Sequence, residues 1–181
     1  MRQRRIPALD GYRVLLVFLV SWYHIWQQSW LTPSLPLIGN LDFLMRSGYV
    51  HVDGMILLSG FLLYLPWVRA RAEGTPLPQT KEFYRRRVER IVPSYVVFTL
   101  GMLLLVALPH GLYNTWQAGV KDVFLHLTFL QNQDVYAYLG TPIGVASWTI
   151  ALEMQFYLIF PLLARGAQKH PVLTIGGMML A

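Results

Sequence analysis

The sequence predicts an all-α, polytopic transmembrane helical bundle, and three observations predict it. Hydrophobic residues make up 55% of the 181 positions and charged residues only 13%, whereas soluble domains carry about 25% charged residues. Apolar runs of membrane length recur along the chain. Backbone polar groups in lipid must be satisfied within the segment, which makes such runs helices. The 15 lysines and arginines lie at the ends of those runs. That placement fits membrane topology and anionic headgroups or substrates, and gives no ground for a nucleic-acid partner. The chain has no cysteine, which excludes disulfides, thiolate metal sites and a cysteine nucleophile.

Residues 1–5 form a basic tail that is retained, since no small-residue cleavage site follows it. The first span is expected at about 14–31, closed by Thr32-Pro33-Ser34-Leu35-Pro36, with a mostly polar connection to Tyr49. A second span is expected at about 50–68. Asp53 near its start reads as a helix cap or a support for the site. Ser59 and Gly60 near its centre read as small residues that admit a neighbouring helix. Residues 69–90 read as a polar loop ending in Arg85-Arg86-Arg87-Val88-Glu89-Arg90. The third span follows at about 91–108, with Pro93 in its first turn, where proline is tolerated. Residues 109–146 form a long connection. Its apolar part, 120–130, is too short to cross and reads as an interfacial or re-entrant helix, with His126 an ordinary interfacial histidine. The fourth span, about 147–164, contains Glu153. Residues 172–181 give roughly 15 Å of helix, half of a crossing. The expectation is that the chain is the N-terminal part of one transmembrane domain, stopping within a fifth span that further spans or a partner subunit complete.

Thirteen of the fifteen basic residues fall on alternate connections, which predicts an integral protein of the plasma or inner membrane with a cytoplasmic N-terminus. Trp30, Trp116 and Trp148 would then mark the outer interface and Trp67 the inner one.

Arg13 and His24 carry the chemistry of the first span. Their separation of eleven residues is about three turns plus 20°, so they share one helix face, roughly 16 Å apart along the axis. An imidazole at that depth costs a few kcal/mol and reads as functional. Arg87 and Arg90, three apart, face one ligand if their segment is helical, and arginine binds phosphate through paired hydrogen bonds. The plainer reading of this cluster is a positive-inside stop signal. Glu153 is expected roughly 9 Å below the outer edge, at a depth comparable to His24, where a carboxylate can orient an imidazole. No metal-ligand spacing stands out: His51 and Asp53 are two apart and no histidine pair has the spacing of a zinc site.

Four blocks, in order, resemble the acyltransferase-3 family of membrane-bound acyl-CoA-dependent O-acyltransferases. They are Leu9-Asp10-Gly11-Tyr12-Arg13 with His24; Val52-Asp53 with Leu58-Ser59-Gly60-Phe61-Leu62; Arg86-Arg87 with Arg90-Ile91 and Pro93; and Ser147-Trp148-Thr149-Ile150 with Glu153, Gln155-Phe156-Tyr157 and Phe160-Pro161. The chain departs from the pattern at Val14 and Met55, at Met154 where a second glutamate is common, and in carrying fewer spans. The resemblance implies acyl-CoA, most often acetyl-CoA, as a cytoplasmic co-substrate, with no bound cofactor. It implies donor-binding roles for Arg13, Arg87 and Arg90, and His24 as the catalytic centre. The acceptor it implies is a hydroxyl of an envelope saccharide, a lipid-linked acceptor or a small natural product. Two other classes fit the residues alone. One is a proton-coupled exporter using His24 and Glu153 as a relay. The other is an accessory subunit in which that polar pair only sets helix packing.

Overall fold

The computed structural model describes residues 6–29, 31–32, 34–35 and 39–180. The basic tail, Trp30, Pro33 and Pro36 lie outside the described residues. Three helical stretches are long and apolar enough to cross a membrane: Asp42–Ala72, Thr80–Ala107 and Val145–Lys169. The chain divides into two compact units, Met1–Arg69 and Ala70–Ala181.

In the first unit, helix α1 spans Pro7–Ser29. It starts on a proline, which suits a first helical position, and Asp10 in its first turn complements the helix dipole. It is long enough to span, but Asp10, Arg13, His24 and Gln27 hold it outside the three apolar stretches. A two-residue antiparallel ladder (β1 Ser34–Leu35, β2 Gly39–Asn40) and a short helix α2, Asp42–Arg46, occupy the expected polar connection. A 3₁₀ turn at Ser47–Tyr49 runs directly into α3, Val50–Ala72. A Cβ at Gly54 would lie 3.3 Å from Leu16, and one at Gly48 would press on Tyr23. Leu16 opposite Gly54 and Tyr23 opposite Gly48 make α1 and α3 antiparallel. Close approaches are made at Gly48 and Gly54; among the described residues no atom lies within 4 Å of a Cβ position at Gly60.

In the second unit, α4 spans Thr80–Met102 and continues as a π turn through Ala107. It begins eleven residues before the expected start at 91, so the basic cluster lies in a helix and not in a loop. The reason is local charge pairing at i,i+3 and i,i+4: Glu82 bonds Arg85 and Arg86 at 2.8 Å each, and Glu89 bonds Arg85 at 3.1 Å. Pro93, expected in a first turn, is consequently in the helix interior. Helix α6, Trp148–Lys169, runs antiparallel to α4. Phe83 stacks on Phe160 at 5.4 Å, the Tyr84 hydroxyl donates to the Leu158 carbonyl at 2.7 Å, and Arg165 donates to Thr80 Oγ1 at 2.7 Å. Helix α7, Pro171–Leu180, is the last described element.

Residues 113–147 pack along the remainder of α4. Tyr95 stacks on Phe129 at 4.8 Å and its hydroxyl accepts from Gln131 at 2.8 Å. The helix in this connection, α5, is Trp116–Leu127, with Thr115 as its N-cap. Two of its polar residues, Asp122 and His126, face inward, while an apolar stripe and Lys121 face outward. Trp116, Val120 and Phe124 are 73%, 59% and 59% exposed, while Asp122 and His126 are 1% and 0% exposed. Water would favour the opposite arrangement. Hydrocarbon favours this one, because polar groups there must turn inward to find partners.

Candidate active site

Arg13 and His24 lie on one unbroken helix and are both half-buried. Their shared face and separation of roughly 16 Å follow directly from that continuity. The turn bearing His24 is held from two sides. The Trp22 indole donates to the Met45 sulfur at 3.3 Å. The Tyr23 ring lies 5.5 Å from the His24 ring and stacks on Trp26 at 6.0 Å. Tyr23 fits only because residue 48 is glycine: a Cβ there would stand 2.5 Å from Tyr23 Cδ2 and 2.8 Å from its Cβ.

Asp53 is exposed in the first turn of α3. The expected cap does not form, because α3 continues from the 3₁₀ turn without a free end at that point. Its charge still suits the positive end of the helix dipole. In the α1–α3 register Asp53 stands level with position 17, about 10 Å along the axis from His24 and nearer to Arg13.

The second unit brings together Arg87, Arg90 and Glu153. Arg85 and Arg86 are engaged in helix-surface ion pairs with Glu82 and Glu89, so the basic cluster divides by role. The Arg87 guanidinium carbon is 5.5 Å from the centroid of Phe83 and 5.5 Å from that of Tyr157. The Tyr157 hydroxyl donates to Glu153 Oε1, one turn away on α6. Arg90 is one turn beyond Arg87 on α4, and Glu153 is one turn beyond Tyr157 in the same direction. The antiparallel register therefore sets Glu153 level with Arg90. The sequence placed the arginines at the inner edge and Glu153 near the outer one. In the folded chain they form a single layer, because α4 starts early and slides its arginines alongside the middle of α6.

A second polar group went unnoticed in the sequence. Asp122 Oδ2 accepts from the Tyr113 and Thr141 hydroxyls at 2.7 Å each. His126 Nδ1 lies 2.9 Å from the Asp122 carbonyl and 3.2 Å from its Oδ1. His126 is therefore fully enclosed and not an interfacial residue. The legible signal was an Asp and a His at i,i+4 within an otherwise apolar helix. Burial, and then the bond to Asp122, push the Tyr113 phenol above its ordinary range. Nearby, the Lys121 ammonium and the Ala137 N–H hold Asp134 below the usual carboxylate range. An apolar groove of about 690 Å³ runs between the end of α4 and α5, lined by Leu103, Leu108, Trp116, Val120, Phe124 and others.

Comparison with known proteins places these residues in a family context. A family described as acyltransferase domain matches residues 6–181. The chain is 31% identical over 175 residues to the acyltransferase MdmB of Streptomyces mycarofaciens, covering 93% of this chain and 41% of that protein. It is 26% identical over 165 residues to the peptidoglycan O-acetyltransferase OatA of Listeria monocytogenes, covering 88% of this chain and 24% of that protein. The chain thus spans less than half the length of these relatives. No solved structure matches it. With the family match running from α1 to the last helix, the chain belongs to the acyltransferase-3 family.

Proposed function

We propose that the protein is an integral membrane O-acyltransferase that moves an acyl group, most simply acetyl, from cytoplasmic acyl-CoA to a hydroxyl of an envelope saccharide or lipid-linked acceptor. The observation that carries this reading is the Arg13–His24 pair on one face of unbroken α1, in a chain of acyltransferase-3 membership. The N-terminus and the α3–α4 turn face the cytoplasm in this reading, since the basic residues concentrate there. Arg13, Arg87 and Arg90 bind the phosphates of the donor, for which planar guanidinium groups are suited.

His24 acts as general base. It takes the proton of the acceptor hydroxyl as that oxygen attacks the thioester carbonyl. The new C–O bond forms, the C–S bond breaks, and the proton passes to the departing CoA thiolate, giving an ester and the CoA thiol. Glu153 supports the site as a carboxylate in the arginine layer. The name of one relative, the peptidoglycan O-acetyltransferase OatA, supports a hydroxyl of the envelope as acceptor here.

The test is incubation of membranes carrying the protein with radiolabelled acetyl-CoA, followed by counting of envelope fractions. Label should appear covalently in an envelope fraction and be released by mild base, as an ester is. His24→Gln should lower the rate by about two orders of magnitude while leaving membrane insertion nearly unchanged. Substrate flux without any covalent product would replace this reading with the transporter. Failure of the His24→Gln protein to accumulate in the membrane would assign His24 to packing.

A further inference from the structure

We propose that Tyr157 is a positioning residue that joins the donor-binding arginine to the carboxylate of the site, with its ring and its hydroxyl performing separate tasks. The inference rests on the acyltransferase reading and deepens it. Tyr157 is buried on α6, four residues after Glu153. Its ring packs edge-on against Phe83 at 6.1 Å, and Phe83 in turn stacks on Phe160 at 5.4 Å. Arg87 lies at equal distances from the Phe83 and Tyr157 rings. Two π faces meeting at near right angles define one favourable place for a guanidinium, and stacking of this kind is worth more when desolvated. The ring thus fixes the plane in which Arg87 presents its N–H groups, and bidentate phosphate binding depends on that plane.

The hydroxyl acts on the other partner. It donates to Glu153 Oε1, which ties that carboxylate to its own helix and sets which oxygen faces away. One side chain therefore aligns Arg87 from α4 and Glu153 from α6. The Tyr157–Glu153 contact follows the i,i+4 spacing of one helix, whereas Arg87 and Tyr157 are brought together only by the antiparallel register of α4 and α6.

Two substitutions separate the tasks. Tyr157→Phe keeps the ring and removes the hydroxyl. Tyr157→Leu removes both. Each protein is expressed at full length in membranes. Two quantities are read: the dissociation constant for radiolabelled CoA, and the rate of label transfer from acetyl-CoA to the envelope fraction at saturating donor. Tyr157→Phe should bind CoA within twofold of the parent and lose about tenfold in saturated rate. Tyr157→Leu should show the same loss of rate and, in addition, bind CoA at least fivefold more weakly. Equal weakening of CoA binding in both variants, or a full rate in Tyr157→Phe, would overturn the assignment of Tyr157 alone. A parent protein that neither binds CoA nor transfers label would overturn the acyltransferase reading, and the positioning role with it.

Discussion

Replacing Asp122 by alanine should unfold the α5 region before any other part of the second unit. The carboxylate is 1% exposed and accepts from the Tyr113 and Thr141 hydroxyls at 2.7 Å each. Hydrogen bonds to a charged group contribute about 1.5–3 kcal/mol apiece, and each hydroxyl left without an acceptor costs about 1–3 kcal/mol. These figures overlap, so the expected loss is about 3–5 kcal/mol, the range for removing one partner of a buried charged group. For a chain of this length that corresponds to a fall in unfolding midpoint of about 6–20 °C. The six tryptophans supply a fluorescence signal for a melt in detergent. Tyr113→Phe removes one of the two bonds and should lower the midpoint by a few degrees only. The double variant should be about as unstable as Asp122→Ala, because both changes act on one bond. Alkaline pH supplies an independent check. The Tyr113 phenol titrates higher when folded than when unfolded, so its contribution is complete below about pH 10 and is lost as pH rises further. The parent should lose stability there more steeply than Tyr113→Phe. An Asp122→Ala midpoint within about two degrees of the parent would refute the energetic role of the cluster.

Three further outcomes follow from the structure. Gly48→Ala should destabilise the first unit by about 1–3 kcal/mol, since Tyr23 Cβ cannot rotate away from the added methyl; a thermal melt reads the loss, and the transfer rate should fall as the turn bearing His24 shifts. Replacing Arg87 and Arg90 together by lysine keeps the topological charge but removes the stacked, planar geometry. That double variant should insert normally and bind CoA about tenfold more weakly, and unchanged binding would return the cluster to a stop signal. Cysteines placed at Thr75 and Asn114 in this cysteine-free chain should label from opposite sides of the membrane, and labelling of both from outside would overturn the proposed orientation.

By itself the sequence determined the helical class, most of the element positions and the Arg13–His24 alignment. These follow from hydrophobic run length and from the fixed pitch of a helix, which are local properties. It also determined family membership, because the four blocks are read in chain order. It misplaced the start of α4, since a charged stretch looks like a loop until its i,i+4 partners are counted. Only the tertiary structure decided which residues of distant elements meet. The antiparallel register of α4 and α6 sets Arg87 on Tyr157 and Glu153 level with Arg90. Packing of residues 113–147 encloses Asp122 and His126, and Gly48 and Gly54 admit the side chains of Tyr23 and Leu16. Register depends on how side chains of two helices interdigitate across many residues, and no single segment encodes that.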